Sequence, residues 1–135
     1  MSKTTRMALV AACTLSALVT FYTASQAQEL KRTELKRGDL TGTNMEVVVQ
    51  LLELAPDLVV PLHTHPGEEA FYVIDGGVGE LSDGKHIEFV PGSANIVARD
   101  VPHGGFTVAG DKPIKLLTVY IVDKGKPLVA LVKKD

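Results

Sequence analysis

The sequence predicts an all-β domain, a sandwich or barrel built from about nine short strands. Short apolar runs rich in Val, Ile and Leu recur from Met45 to the end of the 135-residue chain. Turn-forming Pro, Gly, Asp and Ser residues separate these runs at short intervals. No stretch downstream of Met45 shows a convincing helical period, so the runs are interpreted as strands.

The predicted strands follow one another closely, and turn signals bound each of them. In chain order they cover residues 45–54, 58–62, 70–74, 78–81, 86–90, 94–98, 105–108, 114–122 and 128–132. Ser82-Asp83-Gly84 lies between two short strands and predicts a tight hairpin. Residues 29–38 are charged and contain only Leu30 and Leu35 as apolar positions, so a short helix, an edge strand and a flexible arm all remain open for them.

The N-terminus has the layout of a secretory signal peptide. Lys3 and Arg6 precede a mostly apolar stretch, and small residues precede Gln28. Residues 1–27 are therefore predicted to be a cleaved signal, residues 28–44 an N-terminal arm or edge strand, and residues 45–135 the barrel. A membrane anchor is the alternative, but the apolar stretch is short beside the roughly 20 residues that span a bilayer. Residues 10–13 resemble a lipoprotein box, which makes lipidation at Cys13 a second alternative.

Composition limits the partners of the predicted mature chain, which we expect in the periplasm or outside the cell. Removing Lys3 and Arg6 lowers the 14 Lys and Arg residues to 12, against 16 Asp and Glu, for a net charge of −4. An acidic domain lacks the electrostatic footprint of a nucleic-acid-binding protein. We also expect no membrane association unless Cys13 is lipidated. Cleavage would remove the only Cys, and with it any disulfide or thiolate chemistry.

A cluster of metal-seeking side chains is the most informative feature of the chain. His63, His65 and Glu69 have the same parity, so on one strand they would share a face, whereas Glu68 would not. His103 lies in a second glycine-rich segment, and an opposing strand of a barrel brings it within reach of the first cluster. Imidazole and carboxylate together suit divalent transition metals. His86, by contrast, is interpreted as an ordinary surface residue.

Two segments around these residues resemble the motifs of the cupin superfamily. The first family motif is Gly, five residues, His-x-His, three or four residues, Glu, six residues and Gly. Here His63, His65, Glu69 and Gly76 fall on that spacing, and Asp57 replaces the leading Gly.

The second family motif is Gly, five residues, Pro-x-Gly, two residues, His, three residues and Asn. Gly92 and His103 fit it, whereas Ala98, Asp100 and Thr107 replace the Pro, the Gly and the Asn. The resemblance covers about residues 45–122, nearly all of the predicted barrel.

The resemblance implies a small double-stranded β-helix, or jelly-roll barrel, around one metal ion. It implies His63, His65, Glu69 and His103 as the ligands of one divalent transition metal, which is iron, manganese, nickel, copper or zinc. It also implies a homodimer that pairs through sheet faces or exchanged N-terminal strands. Residues 29–40 would then be a dimer arm, although their high charge also fits a disordered segment.

The predicted cavity is apolar. Phe71 and Val73 share the parity of Glu69, and Phe106 follows His103, so these three side chains are predicted to line it, with the alternative that they belong to the plain apolar core, where such residues are more often found. The alternating residues Met45, Val47, Val49 and Leu51 are expected to contribute a further apolar face. Cationic residues are scarce, which disfavours phosphosugar substrates and favours a small apolar, aromatic or enolic molecule.

Three functions remain open at the level of the sequence. The leading hypothesis is a metal-dependent enzyme, oxygenase-like (a dioxygenase) or lyase-like, in which Glu69 acts as catalytic base on a small-molecule substrate. The alternative is a non-catalytic periplasmic barrel that binds or senses a metal or a small ligand. The third is a structural, dimerising barrel with a vestigial cluster. The chain offers no dedicated general acid beyond the ligands, so enzymatic activity is not established by the sequence.

Overall fold

The computed structural model describes residues 30–133, and within them it contains eleven β-strands and no helix. The strands are β1 (Lys31–Asp39), β2 (Met45–Leu54), β3 (Val59–Val60), β4 (His63–Thr64), β5 (Gly67–Asp75), β6 (Gly77–Leu81), β7 (His86–Phe89), β8 (Ala94–Val97), β9 (Phe106–Ala109), β10 (Ile114–Asp123) and β11 (Ala130–Leu131). None of these residues belongs to a helix that could cross a membrane. The signal peptide expected over residues 1–27, together with Cys13, lies outside the described part and stays a prediction.

The strands form two main sheets with antiparallel pairing. One sheet has five strands in the order β1-β2-β10-β5-β8, and the other has four in the order β3-β9-β6-β7. A short third sheet pairs β11 with β4. The buried apolar core draws Leu52 and Leu116 from the five-stranded sheet and Val60, Phe89 and Phe106 from the four-stranded one. The predicted all-β fold, with sheets packed around an apolar core, is therefore confirmed.

The sequence pattern predicted the positions of most strands. Where the predicted and observed strands differ, the cause is a particular local residue or segment. The predicted strand 45–54 coincides with β2, and the hairpin at Ser82-Asp83-Gly84 joins β6 to β7. The predicted strand 58–62 is shorter in the structure: β3 ends at Val60, because Pro61 has no N–H for a ladder bond, and β4 begins only at His63, outside the predicted range. The undecided N-terminal segment is an edge strand, β1, which pairs with β2 of the same chain.

The prediction of which β2 residues face the interior is wrong, because the buried set is shifted by one residue along the strand. Met45, Val47, Val49 and Leu51 were expected to face the interior, but Val48, Gln50, Leu52 and Leu54 are the buried residues of this strand. The first set is only half-buried and lies on the outer face. Apolar residues occupy consecutive positions in Val47-Val48-Val49 and Leu51-Leu52, so alternation does not distinguish the two faces.

Two aspartates preserve turns where the family motifs have glycine. Asp57 and Asp100 have positive φ angles of 62° and 58°, and they are the non-glycine residues with this backbone conformation in the described part of the chain. Asp is among the residues that tolerate the left-handed region best. The Asp57 N–H donates to Val108 O at 2.9 Å, and the Asp100 N–H donates to His65 O at 3.1 Å. The departures from the motifs therefore change the residue type without removing the turns.

Substitution at Asp57 tests this account of the turns. Asp57→Val should lower the free energy of unfolding by roughly 1–2 kcal/mol, because a β-branched residue is strained at positive φ. Asp57→Gly should stay within about 0.5 kcal/mol of the wild type, because glycine adopts this conformation without strain. Urea denaturation of the two variants measures the difference. Equal stabilities would show that the left-handed backbone is not what the residue provides.

Candidate metal centre

A reciprocal pair of backbone hydrogen bonds joins the two segments that carry the histidines. The His63 N–H donates to His103 O and the His103 N–H donates to His63 O, both at 2.9 Å. Residues that exchange both bonds in an antiparallel pair project their side chains to the same side. Their ring centroids are 4.3 Å apart, and that of His65 lies 4.9 Å from each. The first and second motif segments therefore meet at these three imidazoles.

Glu69 reaches the cluster from a neighbouring strand. The expectation of a single strand is wrong, because His63 lies in β4, Glu69 lies in β5, and Pro66 interrupts the pairing between them. The side chains of His63, His65 and Glu69 are nevertheless all buried, whereas Glu68 is exposed. The parity argument chose the correct residues although the strand is broken.

A backbone carbonyl fixes the protonation of each ring. Nδ1 lies 2.7 Å from Pro61 O in His63, 2.6 Å from Leu128 O in His65 and 2.9 Å from Val101 O in His103. A carbonyl oxygen only accepts hydrogen bonds, so each Nδ1 carries the proton. In the neutral rings the lone pair is therefore on Nε2. This is the orientation in which hydrogen-bonded backbone carbonyls hold metal-binding histidines.

The three histidines are positioned to bind a metal ion. One ligand atom from each lies within 4.8 Å of the others. Oε2 of Glu69 lies 3.0 Å from Nε2 of His103 and 3.3 Å from Nε2 of His65. Nε2 of His65 is buried and has no hydrogen-bond partner among the described residues. Lone pairs that converge on a carboxylate repel one another unless a cation lies between them, so the donor set fits a divalent metal.

The pKa values of the groups in the cluster also favour a bound cation. Burial alone would raise the pKa of Glu69, but its hydrogen bond with His103 and the proximity of His65 outweigh burial and lower the pKa to about 2. Burial acts to lower the pKa of His103, whereas its bond to Glu69 raises it above the ordinary value. For His63, burial dominates and lowers the pKa. Glu69 is thus an ionised carboxylate that attracts either a proton or a metal cation to the rings.

A small cavity of about 190 Å³ adjoins the cluster, and His63, Glu69 and His103 form part of its wall. Phe71 and Phe106 line it, as the sequence analysis predicted. Val73 does not: it is buried in the apolar core and is absent from the cavity wall. A wider groove of about 820 Å³ on another side of the barrel contacts none of the four candidate ligands.

Sequence reasoning missed several residues that shape the centre. Tyr120 lines the cavity, and its ring centroid lies 4.9 Å from that of His65. Burial, and then the charge of Glu69, raise the pKa of its phenol. Leu128 contributes only its carbonyl, so no side-chain pattern marks it. Arg32 also lines the cavity, but its strand could not be recognised from the sequence.

Gly104 is required for close packing against His63. Its φ is +83°, and a Cβ at this position would lie 2.6 Å from Pro61 O and 3.0 Å from Nδ1 of His63. Those two atoms form the hydrogen bond that orients the ring. The glycine-rich character of this segment was visible in the sequence, but the contact that requires glycine was not.

Gly104→Ala should weaken metal binding by at least about tenfold, since it displaces the atoms that orient His63. Gly110→Ala is the matched control, because its φ is +87° and nothing lies within 4 Å of its added Cβ. Both variants carry the strain of positive φ, so both should be somewhat less stable. A titration with metal, monitored by calorimetry, gives the metal affinity of each variant. Equal affinities in the two variants would contradict the role assigned to Gly104.

Solved structures similar to this chain include several of the same fold. A conserved protein with a double-stranded β-helix domain from Klebsiella pneumoniae is 23% identical, with a TM-score of 0.59 over 78% of this chain and 86% of that chain. The polyketide cyclase RemF from Streptomyces resistomycificus is 30% identical, with a TM-score of 0.53 over 70% and 65% of the two chains. The DMSP lyase DddQ from Ruegeria pomeroyi is 17% identical, with a TM-score of 0.59 over 88% and 59%.

The chain thus spans less than two thirds of the length of the latter two proteins. No curated protein matches it. The family model described as the cupin domain matches residues 50–120, which is more than half of the chain and includes all four candidate ligands. The chain belongs to the cupin family.

Proposed function

We propose that this protein is a metal-dependent cupin enzyme that acts, by oxygenase-like or lyase-like chemistry, on a small apolar, aromatic or enolic molecule. The observation that carries the proposal is the set of three Nε2 lone pairs, each fixed by a carbonyl on Nδ1, beside an ionised carboxylate at the wall of a small cavity. Open clefts with such a donor set are typical of metal catalysis.

His63, His65 and His103 would hold the metal, with Glu69 as the fourth ligand. A divalent transition ion supplies Lewis acidity, and a redox-active one also supplies electron transfer, at its open positions. The chain itself provides the surroundings. Apolar residues such as Phe71 and Phe106 exclude water, and the Glu69 carboxylate at the cavity wall is placed to accept a proton from a bound ligand.

The cavity and one relative support a small substrate. A volume of about 190 Å³ corresponds to roughly six liquid water molecules, so an enclosed ligand is limited to about ten non-hydrogen atoms. The relative that is 30% identical is a polyketide cyclase, an enzyme. Its similarity favours catalysis over the alternative of a non-catalytic binding or sensor barrel.

Removal of a histidine tests the metal centre. Wild-type protein should contain about one divalent ion per chain, and His65→Ala and His103→Ala should contain none, because each loses a fixed ligand. His86→Ala is the control, since His86 is exposed on β7 and takes no part in the cluster. Elemental analysis of the purified proteins measures the metal.

Unchanged metal content in both cluster variants would contradict the assignment of the site. Oxygen-uptake and product screens across small aromatic and enolic compounds then test catalysis in the wild type. Metal retained without turnover of any compound would favour the alternative function of a binding or sensor barrel.

We also propose that the protein forms a homodimer through the outer face of the five-stranded sheet. This surface, the outer sheet face, is apolar across four paired strands, because Val49, Val119, Ala70 and Ile96 are consecutive cross-strand partners. Leu51, Leu117, Tyr72 and Ala94 form the next such row. Contiguous exposed apolar surface of this kind marks an interaction site.

A second copy of the chain is the occupant that fits best. Neither row contains a charged residue within its four strands, and Lys36 of β1 extends the first row only at the sheet edge, so the centre of the surface offers no charge pattern to a partner of opposite sign. An uncharged surface is complementary to itself under two-fold symmetry, and two sheet faces pack well against each other. Ile96 is 70% exposed and Tyr72 is 47% exposed, and both would be covered by such packing.

Ile96→Glu should convert the dimer to a monomer, because it buries an unpaired charge at the proposed contact. Val59→Glu is the control, since Val59 is 66% exposed but lies on the four-stranded sheet. Size-exclusion chromatography with light scattering gives the mass of each variant. A monomeric wild type, or a dimer that survives Ile96→Glu, would rule out this interface.

A further inference from the structure

Arg32 lies on β1 at the edge of the cavity, where it is exposed to solvent. In the antiparallel register it pairs with Leu52, a buried residue of β2, and direct cross-strand partners share a face of the sheet. Leu30 packs against the core, and both Leu30 and Arg32 belong to the wall of the 190 Å³ cavity. A guanidinium therefore lies at the solvent-exposed edge of the cavity that adjoins the candidate metal centre.

The pairing of charges distinguishes Arg32 from the other arginines. Arg37 forms ion pairs with Glu34 and Glu46, and Arg99 pairs with Asp123 through two hydrogen bonds at 2.9 Å. Arg32 has no ion pair with any carboxylate of residues 30–133. A guanidinium is always charged at physiological pH and carries parallel N–H donors. Its donors are therefore available to a ligand in the cavity.

Arg32 and Glu69 both belong to the wall of the same cavity. The cavity has an anionic group at Glu69, a cationic group at Arg32, and apolar wall residues that include Leu52 and Leu116.

We propose that Arg32 binds the carboxylate of a small monocarboxylate whose apolar body fills the cavity. The inference rests on the proposed function, because it names the substrate class of that site. A planar carboxylate matches the fork of a guanidinium through two parallel hydrogen bonds. A single cation balances one negative charge, which favours a carboxylate over a phosphate dianion. The cavity volume limits the ligand to about ten non-hydrogen atoms, the size of phenylacetate.

Binding of phenylacetate and of its neutral isostere phenylacetamide tests the inference. The measurement is a titration of EDTA-treated protein at pH 7.5, followed by ¹⁵N NMR, so that coordination to a metal does not contribute. The wild type should bind phenylacetate at least about tenfold more tightly than phenylacetamide, because the acid gains a charge-assisted bidentate contact. Arg32→Gln should abolish this preference. Arg32→Lys should retain part of it, since the charge remains while the fork is lost.

Lys36→Gln is the matched control, because Lys36 also lies on β1 but pairs with Val49 and so faces outward. It removes the same charge and should leave the preference unchanged. Thermal unfolding of each variant verifies that it is folded. The inference is overturned by equal binding of acid and amide, by no binding of either, by an unaffected Arg32→Gln variant, or by inorganic phosphate binding as tightly as phenylacetate. Failure of the proposed function is detected separately: elemental analysis of the wild type before EDTA treatment would then find no metal.

Discussion

Three hydrogen bonds from imidazole Nδ1 atoms to backbone carbonyls are the constraint on which the centre depends. The carbonyls belong to Pro61, Val101 and Leu128, which lie in three separate segments of the chain. Each bond decides which ring nitrogen is protonated and in which direction the other nitrogen points. The reciprocal backbone pair of His63 and His103 then sets the distance between two of the rings. The surrounding strands can be understood as the framework that brings these carbonyls into place.

This arrangement is unfavourable unless a cation is present. A buried acceptor without a donor costs roughly 1–3 kcal/mol, and the ionised carboxylate of Glu69 adds a further desolvation penalty. A proton shared between His103 and Glu69 relieves only part of this, because His65 Nε2 remains without a partner. A metal ion would satisfy all of these groups together, so metal binding and the stability of this end of the barrel are coupled.

The sequence could predict the fold and the convergence of the three histidines because both depend on local patterns. Strands are marked by apolar runs between turn formers, and the His-x-His and Glu spacing survives even though Pro66 breaks the strand. The face of β2 could not be predicted, because its apolar residues are consecutive and Gln50, a polar residue, points inward. Val73 was assigned to the cavity by parity alone, yet parity gives the side of a sheet and not the depth along it. The contribution of Leu128 is a backbone atom, which no side-chain pattern reveals.

Arg32 shows the limit of composition arguments. The scarcity of Lys and Arg residues along the chain disfavours phosphosugar substrates, but it does not indicate where the few arginines lie in the fold. Arg37 and Arg99 are neutralised by neighbouring carboxylates, so Arg32 is the arginine within residues 30–133 that remains available to a ligand in the cavity. Its location depends on β1, a charged edge strand that alternation could not identify. A cavity with an anionic and a cationic group at its wall orients a ligand that carries one negative charge. The anionic end of the ligand faces Arg32, and the end nearer Glu69 is uncharged or donates a proton. The specificity of this centre therefore depends on a strand outside the residues that match the family.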